Sequence, residues 1–487
     1  MIDFFTEFLI LVTKNSLTGT TLRVNDIIDE GFIEKGELQR NDRLAIVKLE
    51  DAVSWDSAKI LSKLLSWLPI SDLDKECSDD ETVLINKYFP SVLQNDLFLR
   101  NRDQAHELED KSEIEMLEFI ATEGIGAHLL KGCCMDASGN PTKYEIDLMF
   151  LSQFEVRYKL VPYGAKLILD GNFKYDSIIC NCRIQDGDIV CEETPFELSS
   201  PNWRFAYNLF MASLLMYETV YNHALECHFK IAGNVLATLF RYKDTAPDCI
   251  KDFLVPFLFR TQEVNDRAYE ILVNNGGLVH RIFAFTKNGM NRFYEYLCDE
   301  FEYKTPLEMD CANTPLKHDL IAYWRVYEEF VSECVDQMSE ELKKNMSWVI
   351  DFERYIKRNI KGLIVGRLTS TENMKRLLTA VVFNGSVWHE YIGNVSRYLI
   401  DSKITSCKIF RSKPNLVHDT EQNYVQAIFL AAITSVQKMP QIMDDLWRTQ
   451  KKEEVATIWK NLQMKLRNVT LKTDYLYPEM LECSVSL

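Results

Sequence analysis

The stretch from Trp203 to Phe240 is helical in period and strongly apolar, yet it carries Glu218, His223 and His228 at intervals of five residues. So apolar a helix belongs to a core, and polar side chains buried there need partners. An ordinary α-helix brings positions i and i+4 to one face and turns i+5 away by roughly a further 100°. The three side chains therefore converge on one point only if the helix is widened by a π-bulge. Two readings follow from the residues alone: core or interface histidines satisfied by hydrogen bonds, or ligands of one metal ion.

The rest of the chain supports a mainly α body around this segment. From Pro201 onward almost everything repeats at the helical period, with long amphipathic stretches at 203–240, 318–349, 374–400 and 424–438. From about Tyr144 to Pro195 the texture changes, and Val161–Leu169 and Ser177–Cys180 carry β-formers between Gly, Asn and Asp turn signals. This predicts a small sheet inserted against the helices. The first 115 residues mix helical patterns with acidic stretches at 79–81 and 107–115, read as solvated faces or linkers. A length of 487 residues corresponds to about three domains at the usual ~150 residues each, or to one large helical domain. No internal repeat favours the first option.

Composition narrows the function classes. A hydrophobic content of 47% with 18 Gly and 13 Pro describes a compact globular protein. The net charge of −17, without any Lys/Arg-rich run, opposes a nucleic-acid groove. The 13 cysteines are mostly scattered, with one vicinal pair at Cys133-Cys134 and no zinc-type CxxC pair, as expected of free thiols in a reducing, cytoplasmic setting. The apolar start carries Asp3 and Glu7 where a signal peptide is basic, and the run at 427–433 is far short of the ~20 residues of a membrane span. Contact with a membrane surface, if any, would be transient and through an apolar patch. There is no G-x-S-x-G, no phosphate loop, no H-E-x-x-H and no EF-hand pattern.

Three separated segments together resemble the lipoxygenases. Trp203, Ala206, Glu218, His223, His228 and the pair Ala237-Thr238 fall without a gap on the positions of that family's metal-binding helix, and Pro247 extends the match. Leu377–His389 resembles its apolar helix leading to a further His ligand, with Phe383 six residues before His389. The ending Pro478-Glu-Met-Leu-Glu-Cys-Ser-Val-Ser-Leu487 is similar to a family terminus whose α-carboxylate is itself a ligand. Weaker similarities lie at His318-Asp-Leu-Ile-Ala-Tyr-Trp324 and at Asn265-Asp-Arg-Ala268. The similarity covers roughly residues 140–487.

The resemblance implies a mainly α, lipoxygenase-like helical catalytic domain with a small β insert. Residues 116–487 would form that domain, residues 1–115 a helical cover within it, and a separate lipid-binding β-sandwich would be missing. The implied metal is Fe, with Mn also suited to the donors. On the gap-free alignment its ligands are Glu218, His223, His389 and the carboxylate of Leu487, with His228 and Asn394 as weaker candidates. Glu218 stands where the family has its first His, and Gly393 where it has Asn or His. Reading His223 and His228 as the ligand pair restores two histidines but breaks the register with Trp203 and Thr238. Ala268 and Leu272 would face the substrate. The implied reaction inserts O2 into a polyunsaturated fatty acid or related lipid. Glu218 as a second carboxylate ligand would stabilise the higher metal oxidation state. That leaves two alternatives open: an oxygenase of altered reaction or substrate on the same fold, or a catalytically silent lipid-binding or interaction protein.

Overall fold

The computed structural model describes residues 37–41, 44–48, 103, 105, 107–108, 110–242, 244–254, 256–258, 261, 265, 277–393, 395–400, 407–415, 453–478 and 481. Within the stretch expected to be a helical cover, the described residues include an antiparallel hairpin, β1 (Glu37–Asn41) and β2 (Leu44–Lys48). Helix α1 (Glu113–Thr122) follows. It starts at a capping box in which the Ser112 hydroxyl accepts from the Glu115 amide while the Glu115 carboxylate accepts from the Ser112 amide.

The expected β insert is present. Strands β3 (Lys131–Met135), β4 (Pro141–Asp147), β5 (Ala165–Asp170) and β6 (Tyr175–Cys180) pair antiparallel in sequence order, and β9 (Thr194–Phe196) adds to the far edge. Between β6 and β9, β7 (Arg183–Gln185) and β8 (Asp188–Val190) form a separate hairpin. Its two-residue turn, Asp186-Gly187, has positive φ at both positions (52° and 87°), the geometry that matches strand twist and favours Asp-Gly.

Helices make up most of the remainder. Helix α2 (Trp203–Tyr217) continues without a break into a π-helical segment, Glu218–Ala232, and then into α3 (Gly233–Arg241). Next come α4 (Asp248–Leu254), α5 (Leu278–Ile282) and α6 (Lys287–Glu300). The stretch expected as one helix over 318–349 is two: α7 (Pro315–Lys344), started by the Thr314 side chain and Pro315, and α8 (Met346–Asn359), with the break at Asn345. Helix α9 (Thr371–Phe383) runs through a second π segment, Asn384–Trp388, into α10 (His389–Gly393), followed by α11 (Val395–Ile400) and α12 (Glu453–Arg467). The expected helix at 424–438 lies outside the described residues.

Two apolar clusters meet along the α2–π–α3 rod. One joins the sheet to α2 through residues such as Ile146, Leu167, Ile178, Phe205 and Leu214. The other gathers α7, α8 and α9 around Trp324, Tyr327, Phe352 and Leu378. The π segment contributes Val220, Leu225 and Phe229 to the first, and Cys227, Ile231 and Ala232 to the second. Its polar side chains are thereby shut between two cores. Among the described residues no helix is long and apolar enough to cross a membrane.

Candidate metal centre

The π segment resolves the spacing problem. With hydrogen bonds running to i+5, residues five apart come into register, so His223 and His228 point the same way. The second π segment delivers His389 opposite them, and the two are tied by the Cys227 thiol donating to Asn384 Oδ1 at 3.3 Å. His223, His228 and His389 are all buried, and their ligand nitrogens form one compact group. The His389 Nε2 lies 3.1 Å from the His223 Nε2 and 3.0 Å from the His228 Nε2.

Proton bookkeeping shows what such a group is suited to hold. The Asn265 side chain is oriented by its amide, which donates to the His228 carbonyl at 2.8 Å, so its Oδ1 accepts from His228 Nδ1–H at 3.1 Å. That fixes the tautomer and leaves the His228 Nε2 lone pair facing the cluster. Burial pushes the His223 and His228 imidazoles well below their ordinary range, reinforced by the neighbouring rings, and takes His389 down to about 3. Neutral imidazoles in a dry pocket are the form that binds a metal. At a metal–nitrogen bond of about 2.1 Å, nitrogens this close together can share one ion. The donor set fits a transition metal.

Glu218, expected in the ligand set, does not join this group. Its fully buried carboxyl accepts at Oε2 from Asn222 Nδ2 (2.8 Å), and Oε1 points toward His128 Nε2 at 3.7 Å without a hydrogen bond. Glu218, at the first residue of the π segment, lies instead beside Asn222 and the turn Ala127–Leu129. There, His128 Nδ1 lies 2.9 Å from the Tyr391 hydroxyl, which donates to the Ile125 carbonyl at 2.9 Å. Asn222 Nδ2 reaches His128 Nε2 at 3.0 Å, so the network is consistent with a neutral imidazole carrying its proton on Nδ1. Burial raises the Glu218 carboxyl well above its ordinary range and lowers His128 to about 3. Glu218 is thus read as a neutral acid in a polar network beside the three-histidine cluster, which contains His228 and not Glu218.

Asn394, Ala268, Leu272 and Leu487 lie outside the described residues. Gly393, one turn beyond His389, offers no donor, and a Cβ built there meets nothing within 4 Å among the described residues. Asn265 was legible as part of a short motif but not as the partner of His228. Nothing in the sequence marked His128.

Solved structures share this architecture. A calcium-dependent 11R-lipoxygenase superposes with a TM-score of 0.68 at 12% identity, covering 96% of this chain and 80% of that one. A coral 8R-lipoxygenase gives 0.65 at 15% identity, covering 96% and 81%. The manganese lipoxygenase of Gaeumannomyces graminis gives 0.63 at 11% identity, covering 95% and 98%. No family model and no curated protein sequence matches the chain. The fold is therefore that of the lipoxygenases, mainly helical with a small β insert.

Proposed function

We propose that this chain is a non-haem metal dioxygenase of the lipoxygenase type, inserting O2 into a polyunsaturated fatty acid or a related lipid. The observation that carries the reading is the convergence of three buried, neutral imidazoles, His223, His228 and His389, inside this fold. Iron or manganese is the metal this reading assigns. On the sequence ending alone, the Leu487 carboxylate is the anionic donor that completes the set, with Asn394 a weaker candidate. Ala268 and Leu272 are assigned to the substrate side on the same basis.

When bound, the metal supplies the one-electron chemistry that activates a C–H bond between two double bonds and brings O2 into reaction. The chain's own contribution is positional. Asn265 holds the His228 ring with its lone pair inward, the two π segments fix the angle between His228 and His389, and the flanking apolar clusters keep the site dry. With His228 as a ligand in place of Glu218, the donor set has three neutral imidazoles. This reading favours lipoxygenase-type chemistry over a metal centre altered by an extra side-chain carboxylate.

The test pairs metal content by ICP-MS with oxygen uptake and conjugated-diene formation from linoleate and arachidonate. Wild type is expected to hold close to one Fe or Mn and to form dienes, with both lost in His223→Ala, His228→Ala and His389→Ala. Metal-replete wild type that consumes no oxygen with either lipid would refute the dioxygenase assignment and leave the metal site standing.

A further inference from the structure

A second site lies away from the histidines, in an open cleft of about 750 Å³ between α1, the β5–β6 turn, the start of α7 and the segment 472–477. Arg397 of α11 lines it and is only 4% exposed. A guanidinium carries five N–H donors. Here Nη2 donates to the Tyr475 carbonyl at 3.2 Å, the group lies 4.6 Å over the Tyr475 ring, and Nε has no hydrogen-bond partner. Among the described residues no carboxylate pairs with it. A buried cation with an unpaired Nε and a single hydrogen bond, at the wall of a cleft, favours an anion beside it.

The surroundings narrow the anion. Lys174 is paired with Glu118 at 2.7 Å. The rest of the rim sets Lys111, Lys472 and Arg397 against Glu107, Glu115, Glu123 and Asp474, one negative charge in excess. A rim of this kind repels a dianion such as phosphate more strongly than a single negative charge. Leu108, Phe119, Phe173 and Pro315 add apolar surface beside the guanidinium. We propose that this cleft binds a small monocarboxylate carried on an apolar body, its carboxylate received on the Arg397 edge that faces the cavity and its body against Phe119 and Phe173. The fork of a guanidinium matches a planar carboxylate in geometry. Arg397 follows His389 by eight residues, on the helix pair α10–α11, so occupancy bears on the element that carries a metal ligand, although the cleft does not depend on the metal reading.

Isothermal titration of the full chain with 3-phenylpropionate, 3-phenylpropanamide and inorganic phosphate tests this. The carboxylate is expected to bind at least tenfold more tightly than the amide or phosphate, and Arg397→Gln to weaken it at least tenfold with metal content unchanged. Because Arg397→Gln also removes the tie to Tyr475, Lys472→Gln on the exposed rim serves as a second variant, with an expected loss of about threefold that vanishes at high salt. Absence of binding to wild type, equal binding of the amide, phosphate binding as tight as the carboxylate, or unchanged affinity in both variants would each overturn the proposal.

Discussion

The Nε2 atoms of His223 and His389 stand 3.1 Å apart although 166 residues separate them in the chain. Two π-helical segments produce this approach, one on each helix, and both are buried. A widened helical turn sacrifices regular hydrogen bonding and is found mostly where a side chain has to be aimed. Finding two of them facing each other is an argument, independent of any likeness, that the histidines are placed for a shared ligand.

If Asn265 fixes the tautomer of His228, its removal should weaken the metal without touching a ligand. Asn265→Leu leaves Nδ1 of a buried imidazole without its acceptor, and metal affinity is expected to drop about 10- to 100-fold. Competition with a chelator of known affinity measures it. Unchanged affinity would mean that the ring is held by packing alone.

Gly393 sits one turn from His389, with room for a side chain among the described residues. Gly393→Asn is expected to retain metal against chelators more firmly than wild type, by adding a carbonyl donor on the ligand face. Gly393→Ala is the control for helix propensity, since replacing a mid-helix Gly alone stabilises by about 1 kcal/mol. Equal metal retention in the two variants would show that the Asn side chain does not reach the ion.

Much of this site was legible because its chemistry leaves periodic marks. His223, His228 and His389 were all visible as candidates, and the need for a π-bulge followed from the spacing of five. What the sequence could not decide was the phase. An ungapped alignment put Glu218 in the set because it weighs Trp203 and Thr238 equally with the histidines, whereas in three dimensions His223 and His228 meet His389 while Glu218 meets Asn222. The Glu218 environment depends on His128, almost a hundred residues away in an unremarkable turn, and no local pattern announces such a contact. The break at Asn345 is similar: the hydrophobic period continues across it, so only tertiary packing shows two helices. The β insert was easier, since Gly, Asn and Asp bound its strands and Asp186-Gly187 marks the tightest hairpin.

The Glu218–Asn222–His128–Tyr391 network should give stability a plateau in pH. Glu218 has a raised pKa in the folded protein, so its contribution is full below the ordinary 4.5 and is lost as pH rises toward the folded value. His128 has a lowered one, so its contribution is full above the ordinary 6.5 and is lost as pH falls toward about 3. Between roughly 4.5 and 6.5 the unfolded state has ionised both groups, one of each sign, and the two slopes cancel. In metal-free protein, Glu218→Gln is therefore expected to gain on wild type as pH rises above 4.5, and His128→Gln as pH falls below 6.5. Chemical denaturation across that range reads both, and variants whose curves run parallel to wild type would show that the two groups are ionised together as a pair.

Asp319 anchors the segment that leads to the chain's end. Its buried carboxylate accepts from the Lys472 amide (2.6 Å), the Thr473 amide (2.9 Å) and the Thr473 hydroxyl (2.7 Å), pinning residues 472–473 to α7. Hydrogen bonds to a charged acceptor contribute about 1.5–3 kcal/mol each, and the donors left behind would be unsatisfied. Asp319→Ala is expected to destabilise the protein by about 3 kcal/mol or more, and Asp319→Asn by less, since an amide keeps one acceptor oxygen. If the Leu487 carboxylate is a ligand, both variants should also lose metal more readily than a destabilised control such as Leu167→Ala, which lies on β5 in the other apolar cluster. Metal retention that follows stability alone across all three variants would separate the Asp319 anchor from the metal centre.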